Sequence, residues 1–231
     1  MSFEQNRSTD YSLEGNIGSG KSTFILILDE YSNQTNNKMV NIHNTRVVEE
    51  PVNIWQDMNG SNVLESFYKD PKRYSFTFQM TTFVTRTELL EKALNYGDSF
   101  VIAERSVLTD KNVFSKNCYE SGLMNEMEYS VYQEMFNYLN KKTQMKPKGV
   151  IYIRTDPNEC LRRINERNRG EESKISIEYL TNLHEKHENW LLNQKQFPVL
   201  ILDGNQNFKQ DNDIKTQFLD KVNDFISIND C

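Results

Sequence analysis

The stretch GNIGSGKST at residues 15–23 constrains this chain more than any other, because it fills every fixed position of the pattern G-x-x-x-x-G-K-[ST]. Glycines at 15, 18 and 20 let the backbone curl until successive N–H groups point into one concavity, a shape that holds phosphate oxygens. A short strand reads at residues 11–14 and a helix at 22–30, so the strand–turn–helix context that the pattern requires is present. In that context Lys21 reaches the β- and γ-phosphates of a nucleoside triphosphate, Ser22 holds Mg2+, and the positive end of the helix faces the same anion. The expected cradle comprises Gly15, Asn16, Ile17, Gly18, Ser19, Gly20, Lys21, Ser22 and Thr23.

Beyond the loop, strand-like runs at residues 45–48, 100–103, 150–153 and 199–202 alternate with helical patterns. The helices fall at 60–68, 74–94, 126–139, onward from Pro157, at 177–192 and at 213–226. Strands separated by helices of this length specify an α/β fold: a five-stranded parallel sheet covered by helices on both faces, a three-layer sandwich. At 231 residues the chain is read as one domain over 1–231, with residues 1–10 a flexible N-terminus and the Asn-rich stretch 32–44 a polar surface loop.

A net charge of -6 and a pI near 5.3 argue against a nucleic-acid-coating surface. Three scattered cysteines, Cys118, Cys160 and Cys231, lack metal-type spacing and read as inert thiols. His184 and His187, set among leucines on the helix at 177–192, read as structural. The first ten residues have no apolar signal core, and the longest apolar run, 24–28, is too short to span a bilayer, so a cytoplasmic location is expected.

Ligands of parallel sheets bind outside the carboxyl ends of the strands. That rule gathers the phosphate loop, Glu49-Glu50-Pro51, Glu104-Arg105-Ser106 and the arginines at 163, 167 and 169 into one cleft. Such a cleft suits phosphoryl transfer, which needs a held triphosphate, cations for its developing charge and an aimed acceptor oxygen.

The ordered stretches GNIGSGKST (15–23), EEPVNIW (49–55), FYKDPKRYSFTFQ (67–79), ERSVLTDKNVF (104–114), RINERNRGEE (163–172) and IEYLTNLHEKHENWL (177–191) resemble the deoxynucleoside kinases of the deoxycytidine/deoxyguanosine kinase type. The resemblance runs from residue 13 to about residue 208 and implies a phosphate-loop kinase fold with an arginine-rich lid. It implies ATP-dependent phosphorylation of a deoxynucleoside 5′-hydroxyl, with ATP and Mg2+ as cofactors, and a homodimer joined through long helices such as the one at 74–94.

Carried over residue by residue, the resemblance makes Glu50 the general base, with Glu49 its competitor. Glu104 joins Ser22 on the metal, and Arg105 lies near the transferring phosphoryl group, with Lys21 completing the catalytic set. Arg163, Arg167 and Arg169 form the lid over ATP; from spacing alone, Arg163 and Arg167 share a helix face. Gln79 pairs with the base between Trp55, Phe78 and Phe114, while Tyr68 and Glu178 hold the sugar 3′-hydroxyl. Residues 202–208 resemble the loop that contacts adenine. Arg86 and Asp110, present in the deoxycytidine and deoxyguanosine kinases and not in the thymidine-preferring relatives, favour deoxyadenosine or deoxyguanosine, leave deoxycytidine open and put thymidine last. Thr82 narrows the space beside the base.

Three alternatives remain at this point: a nucleoside-monophosphate kinase, a nucleotide-operated switch, and a non-catalytic nucleotide binder. The first needs a second anion site, whereas the Glu50 neighbourhood is acidic. The second needs D-x-x-G directly after a strand and N-K-x-D near the base, and neither is present in that setting. The third is disfavoured by the joint presence of Lys21, Glu50, Glu104 and Arg105.

Overall fold

A computed structural model of the chain describes residues 10–32, 45–95, 100–143 and 146–229. The expectations for residues 1–9 and 33–44, and for Cys231, lie outside these.

The elements run in the order β1 (Tyr11–Glu14), α1 (Lys21–Ser32), β2 (Thr45–Val48), α2 (Val52–Gln56), α3 (Val63–Lys69), α4 (Pro71–Leu94), β3 (Phe100–Glu104), α5 (Val107–Thr109), a π-helical segment (Asp110–Ser115), α6 (Lys116–Glu120), α7 (Glu126–Thr143), β4 (Gly149–Arg154), α8 (Pro157–Arg167), a 3-10 turn (Gly170–Lys174), α9 (Ile177–Leu191), β5 (Val199–Asp203) and α10 (Asn212–Asn229). The strands form one sheet in the order β2-β3-β1-β4-β5, and every pairing is parallel. The five-stranded parallel sheet is the one the sequence specifies, and the long helices around it fall where expected.

β1 is central, with Leu13 opposite Glu104 of β3 and Glu14 opposite Tyr152 of β4. The chain therefore leaves β1 at the point where strand order reverses, which is where parallel sheets open a crevice. Alternation along each strand feeds two cores. Tyr11, Leu13, Ile102, Ile151 and Ile153 pack with α1 and α10 through Phe24, Leu28, Phe218 and Val222. On the opposite face Ala103 meets Phe83 and Leu90 of α4 and Tyr132 and Phe136 of α7, while Val150 and Tyr152 meet Leu191 of α9.

Local chemistry fixes the helix starts that matter for the cleft. Asp70 accepts the Arg73 N–H at 3.2 Å, with Pro71 following it, and Asp156 accepts the Asn158 N–H at 2.8 Å ahead of Pro157. α8 stops at Asn168, which takes a left-handed φ of 52°.

Two differences from the sequence reading have physical causes. The helix expected from residue 60 begins at Val63 because Asn59 and Gly60 make a tight turn at φ 52° and 85° under a Met58–Ser61 bridge, and Asn62 supplies the cap. The run from Val107 to Glu120 changes between α and π pitch within fourteen residues, so its apolar side chains follow no single helical period.

Candidate active site

All five strand ends open into one cleft of about 1380 Å³, larger than a single small-molecule pocket and roomy enough for a nucleoside and a triphosphate together. β1 contributes the phosphate loop, β2 contributes Glu49 and Glu50, β3 contributes Glu104 and Arg105, α8 after β4 contributes the arginines, and residues 205–210 follow β5.

The loop must curl tightly against its neighbours. At Gly18, φ is 76° and a Cβ would lie 2.5 Å from the Cys160 carbonyl oxygen; at Gly20, φ is 102° and a Cβ would meet the Phe208 ring at 2.7 Å. Asn16 and Ser19 turn into the protein: the Asn16 amide donates to the Leu180 carbonyl at 2.8 Å, and Ser19 is fully buried. Gly15 shapes the turn from β1, whereas Ile17, Gly18, Gly20, Lys21, Ser22 and Thr23 line the cleft.

Lys21 is 4% exposed, and its Nζ donates to the Asn16 carbonyl at 2.6 Å. Burial, followed by the Arg105 guanidinium, lowers its pKa to about 7. Ser22 Oγ donates to Glu104 Oε1 at 2.8 Å, joining residues 82 apart in sequence. This hydroxyl and carboxylate are two oxygen donors of the kind a hard divalent cation takes, set at the edge of the cradle. Among the described residues no group of three or more His, Cys, Asp or Glu could hold a metal by itself. Phosphate oxygens and water would therefore complete the shell, as Mg2+ favours.

Four charged side chains interlock across the β2–β3 end. Arg105 Nη1 donates to Glu50 Oε1 at 2.7 Å and Oε2 at 2.6 Å. Arg86 Nη2 donates to Glu50 Oε1 at 2.8 Å, Arg86 Nε to Asp110 Oδ2 at 3.0 Å, and Arg86 Nη1 to the Glu104 carbonyl at 3.0 Å. Burial would raise the Glu50 carboxyl, but Arg105, Arg86 and Lys21 outweigh it and hold the pKa at about 2. Burial drives Asp110 the other way, up to about 6, although Arg86 pulls against it. Arg86 and Arg105 are held firmly charged: burial opposes it, and the carboxylates of Asp110, Glu50 and Glu104 prevail.

Beside this network lies an aromatic chamber. Trp55, Tyr68, Phe78 and Phe114 all line it; Trp55 meets Phe78 edge-on at 5.6 Å, and the Arg105 guanidinium lies 4.9 Å from the Phe114 ring centre. Gln79, 1% exposed, enters the chamber with its Oε1 lacking any hydrogen-bond partner. Thr82 is also at the wall, its hydroxyl donating to the Gln79 carbonyl at 3.0 Å.

The three arginines divide. Arg163 is committed to the loop's backbone, donating to the Ser19 carbonyl at 3.1 Å and the Gly204 carbonyl at 2.8 Å. Arg167 and Arg169 line the cleft and both ion-pair with Glu172, Arg169 at 2.9 Å.

One expected residue is misplaced. Glu178 stands exposed in the first turn of α9, behind its Ser176 cap, and does not line the cleft, so the assignment to the sugar pocket is corrected. Glu172 lines the cleft instead. The 3-10 turn tucks it in until it is 5% exposed, close enough to Tyr68 that burial first and the Glu172 charge second raise the tyrosine's pKa. A carboxylate pair at 171–172, separated from Arg169 by Gly170 alone, was the available sequence signal, and the chain's change of direction at 170–174 hid its register.

The remaining candidates are structural. His187 is fully buried, with Nδ1 2.7 Å from the Leu183 carbonyl, and burial lowers its pKa to about 3. Cys118 and Cys160 are free and buried, which pushes both thiols up to about 12. No described helix is long and apolar enough to cross a membrane.

Comparison with known proteins agrees with this geometry. A family model described as deoxynucleoside kinase matches residues 11–227. The chain is 38% identical to a probable deoxycytidine kinase of fowlpox virus, over 94% of this chain and 87% of the relative. It is 36% identical to the deoxycytidine kinase of Bos taurus, over 98% and 94%, and 31% identical to the mitochondrial deoxyguanosine kinase of Xenopus laevis, over 94% and 89%.

Proposed function

The chain belongs to the deoxynucleoside kinase family and is an ATP-dependent deoxynucleoside kinase of nucleotide salvage; we propose that its acceptor is a deoxynucleoside with an exocyclic amino group on the base, deoxycytidine first and the purine deoxynucleosides behind it. The alternatives of a monophosphate kinase, a switch and a non-catalytic binder are set aside with the family.

The base assignment is carried by Gln79, whose buried Oε1 has no protein donor and calls for an N–H from the ligand. The Asp110 carboxylate, which lines the same cleft, is a second acceptor, which suits an amino group and repels the O4 of thymine. A preference for purines rested on Arg86 reading the base edge, yet its Nε, Nη1 and Nη2 all serve Asp110, Glu104 and Glu50. With that support reduced, the relatives named deoxycytidine kinase bring deoxycytidine forward.

In the reaction, Trp55, Phe78 and Phe114 hold the base plane, and Tyr68 with Glu172 receives the 3′-hydroxyl. Glu50 orients the 5′-hydroxyl and takes its proton as the new O–P bond forms. A carboxylate with a pKa near 2 is a weak base, which suffices because a loose transition state moves that proton late. Lys21, Arg105, Arg167 and Arg169 neutralise the charge that develops on the transferring phosphoryl oxygens. Mg2+ held by Ser22 and Glu104 would supply further neutralisation on the phosphates and fix their geometry.

Residues 1–231 are taken as one kinase unit in the cytoplasm. A homodimer is supported by an uncovered apolar stripe on α7, where Met127, Val131, Met135 and Tyr138 are exposed at helical spacing, and by exposed Val84 on the neighbouring α4. The deciding experiment is kcat/KM for the four deoxynucleosides and their ribonucleoside counterparts with Mg-ATP. Deoxycytidine should lead and thymidine trail, and thymidine at or above deoxycytidine would sink the base assignment.

A further inference from the structure

Glu14, the last residue of β1, is 0% exposed and has no part in the chemistry above. Its Oε1 accepts the Ser106 N–H at 2.9 Å and the Ser106 hydroxyl at 2.8 Å, and its Oε2 accepts the Thr109 hydroxyl. Burying a carboxylate is costly, and an apolar residue would fill the same space more cheaply. The donors it gathers all belong to the turn that follows Arg105.

That turn is strained. Arg105 has φ 62°, a left-handed conformation that a non-glycine residue keeps only when its surroundings over-determine it. Two bonds do so, one on each side: the Arg105 N–H donates to the Leu13 carbonyl at 3.0 Å, and the next N–H, of Ser106, goes to Glu14. Glu14 also leads directly into Gly15, whose carbonyl lies 3.4 Å from Arg105 Nη2. One residue thus ties the start of the phosphate loop to the turn that aims the guanidinium.

We propose that Glu14 is a positioning residue for phosphoryl transfer: it locks the left-handed turn at Arg105 onto the strand that carries the phosphate loop, fixing the Arg105 guanidinium relative to Lys21 and Glu50. The inference rests on the role given to Arg105 above. Glu14→Gln keeps the side chain's size but leaves one acceptor oxygen where two are used, so either Ser106 or Thr109 loses its partner and the turn loosens. Because the effect passes through Arg105, it belongs to the transition state more than to substrate binding.

The test is a double-mutant cycle on the full chain: wild type, Glu14→Gln, Arg105→Ala and the double variant, measured for kcat, for KM of deoxycytidine and Mg-ATP, and for melting temperature. Glu14→Gln should lower kcat by about 10- to 100-fold with both KM values within about threefold, the scale of an ångström-size misplacement. In the Arg105→Ala background the same change should cost less than about twofold, since the group it positions is gone. Thr109→Val, which withdraws the donor to Oε2 together with the longer 3.4 Å contacts of the same hydroxyl to Ser106, should act in the same direction and decides the matter if Glu14→Gln does not fold. Wild-type kcat in the folded variant, or an equal loss on both backgrounds, overturns the proposal. Wild-type kcat in Arg105→Ala alone would instead overturn the role of Arg105, and this inference with it.

Discussion

One nitrogen of Arg105, Nη1, lies within 2.7 Å of both carboxylate oxygens of Glu50, so the ends of β2 and β3 are joined through a single charged contact. In the proposed reaction the 5′-hydroxyl shares this carboxylate with Arg105, whose charge helps keep Glu50 ionised. Glu50→Gln keeps the shape and removes the charge. It should lower kcat by about 10²- to 10⁴-fold, the usual range for losing a positioned proton acceptor, with a smaller change in KM for deoxycytidine. Steady-state kinetics of the folded variant checks this, and turnover near the wild-type value would remove Glu50 from the mechanism.

Asp110 gives the reaction a pH dependence that Glu50 cannot. Burial raises its carboxyl to about 6, so the group is charged above that pH and neutral below it, whereas Glu50, at about 2, stays ionised throughout. Protonation removes the counter-charge of Arg86 and, in the proposed site, weakens the acceptor offered to the base's amino group. The kcat/KM for deoxycytidine should therefore fall as pH drops through about 6. The Asp110→Asn variant should be lower overall and level across the same window. A wild-type profile level down to pH 5 would contradict this role.

Much of the layout was legible because short motifs mark the strand ends. GNIGSGKST identified the cradle, and the parallel sheet then required Glu50, Glu104 and Arg105 to converge on it. Pairings among those residues were not legible. Nothing in the spacing of residues 50, 86, 105 and 110 says that Arg86 would spend its donors on Glu50, Asp110 and the Glu104 carbonyl, since that depends on how α4 leans over the sheet. The helices α2 and α5 escaped the reading because five and three residues are too few to display a period. Glu172 escaped it because the stretch beginning IEYL offers a second carboxylate, Glu178, six residues on, and only the folded 3-10 turn distinguishes the two.

That last distinction is directly testable. Glu172, which lies beside Tyr68 and pairs with Arg167 and Arg169, should be indispensable for sugar binding, and Glu178, exposed on α9, should not. Glu172→Gln should raise KM for deoxycytidine by about 10- to 100-fold, the value of a hydrogen bond to a charged group. It also frees the two lid arginines, so KM for Mg-ATP should change in the same variant. Glu178→Gln should leave both KM values within about twofold, as surface changes do. The reverse pattern would restore Glu178 to the site.

Lys21 should link triphosphate binding to proton uptake. In the free protein burial, with Arg105 beside it, lowers its pKa to about 7, so near pH 8 the amine is mostly neutral. A triphosphate in the cradle brings opposite charge next to Nζ and favours the charged form, which raises that pKa. Binding at pH 8 must then draw a proton from the buffer, approaching one per site, while at pH 6 the amine is already charged and Lys21 draws almost none. Titration calorimetry of Mg-ATP without deoxynucleoside, in phosphate and in Tris, measures this number as the slope of observed heat against buffer ionisation heat. Lys21→Arg carries a guanidinium that stays charged in both states and should abolish the uptake at pH 8. Equal uptake by wild type and Lys21→Arg at that pH would show that the proton is taken up elsewhere and that the Lys21 amine meets the phosphates already charged.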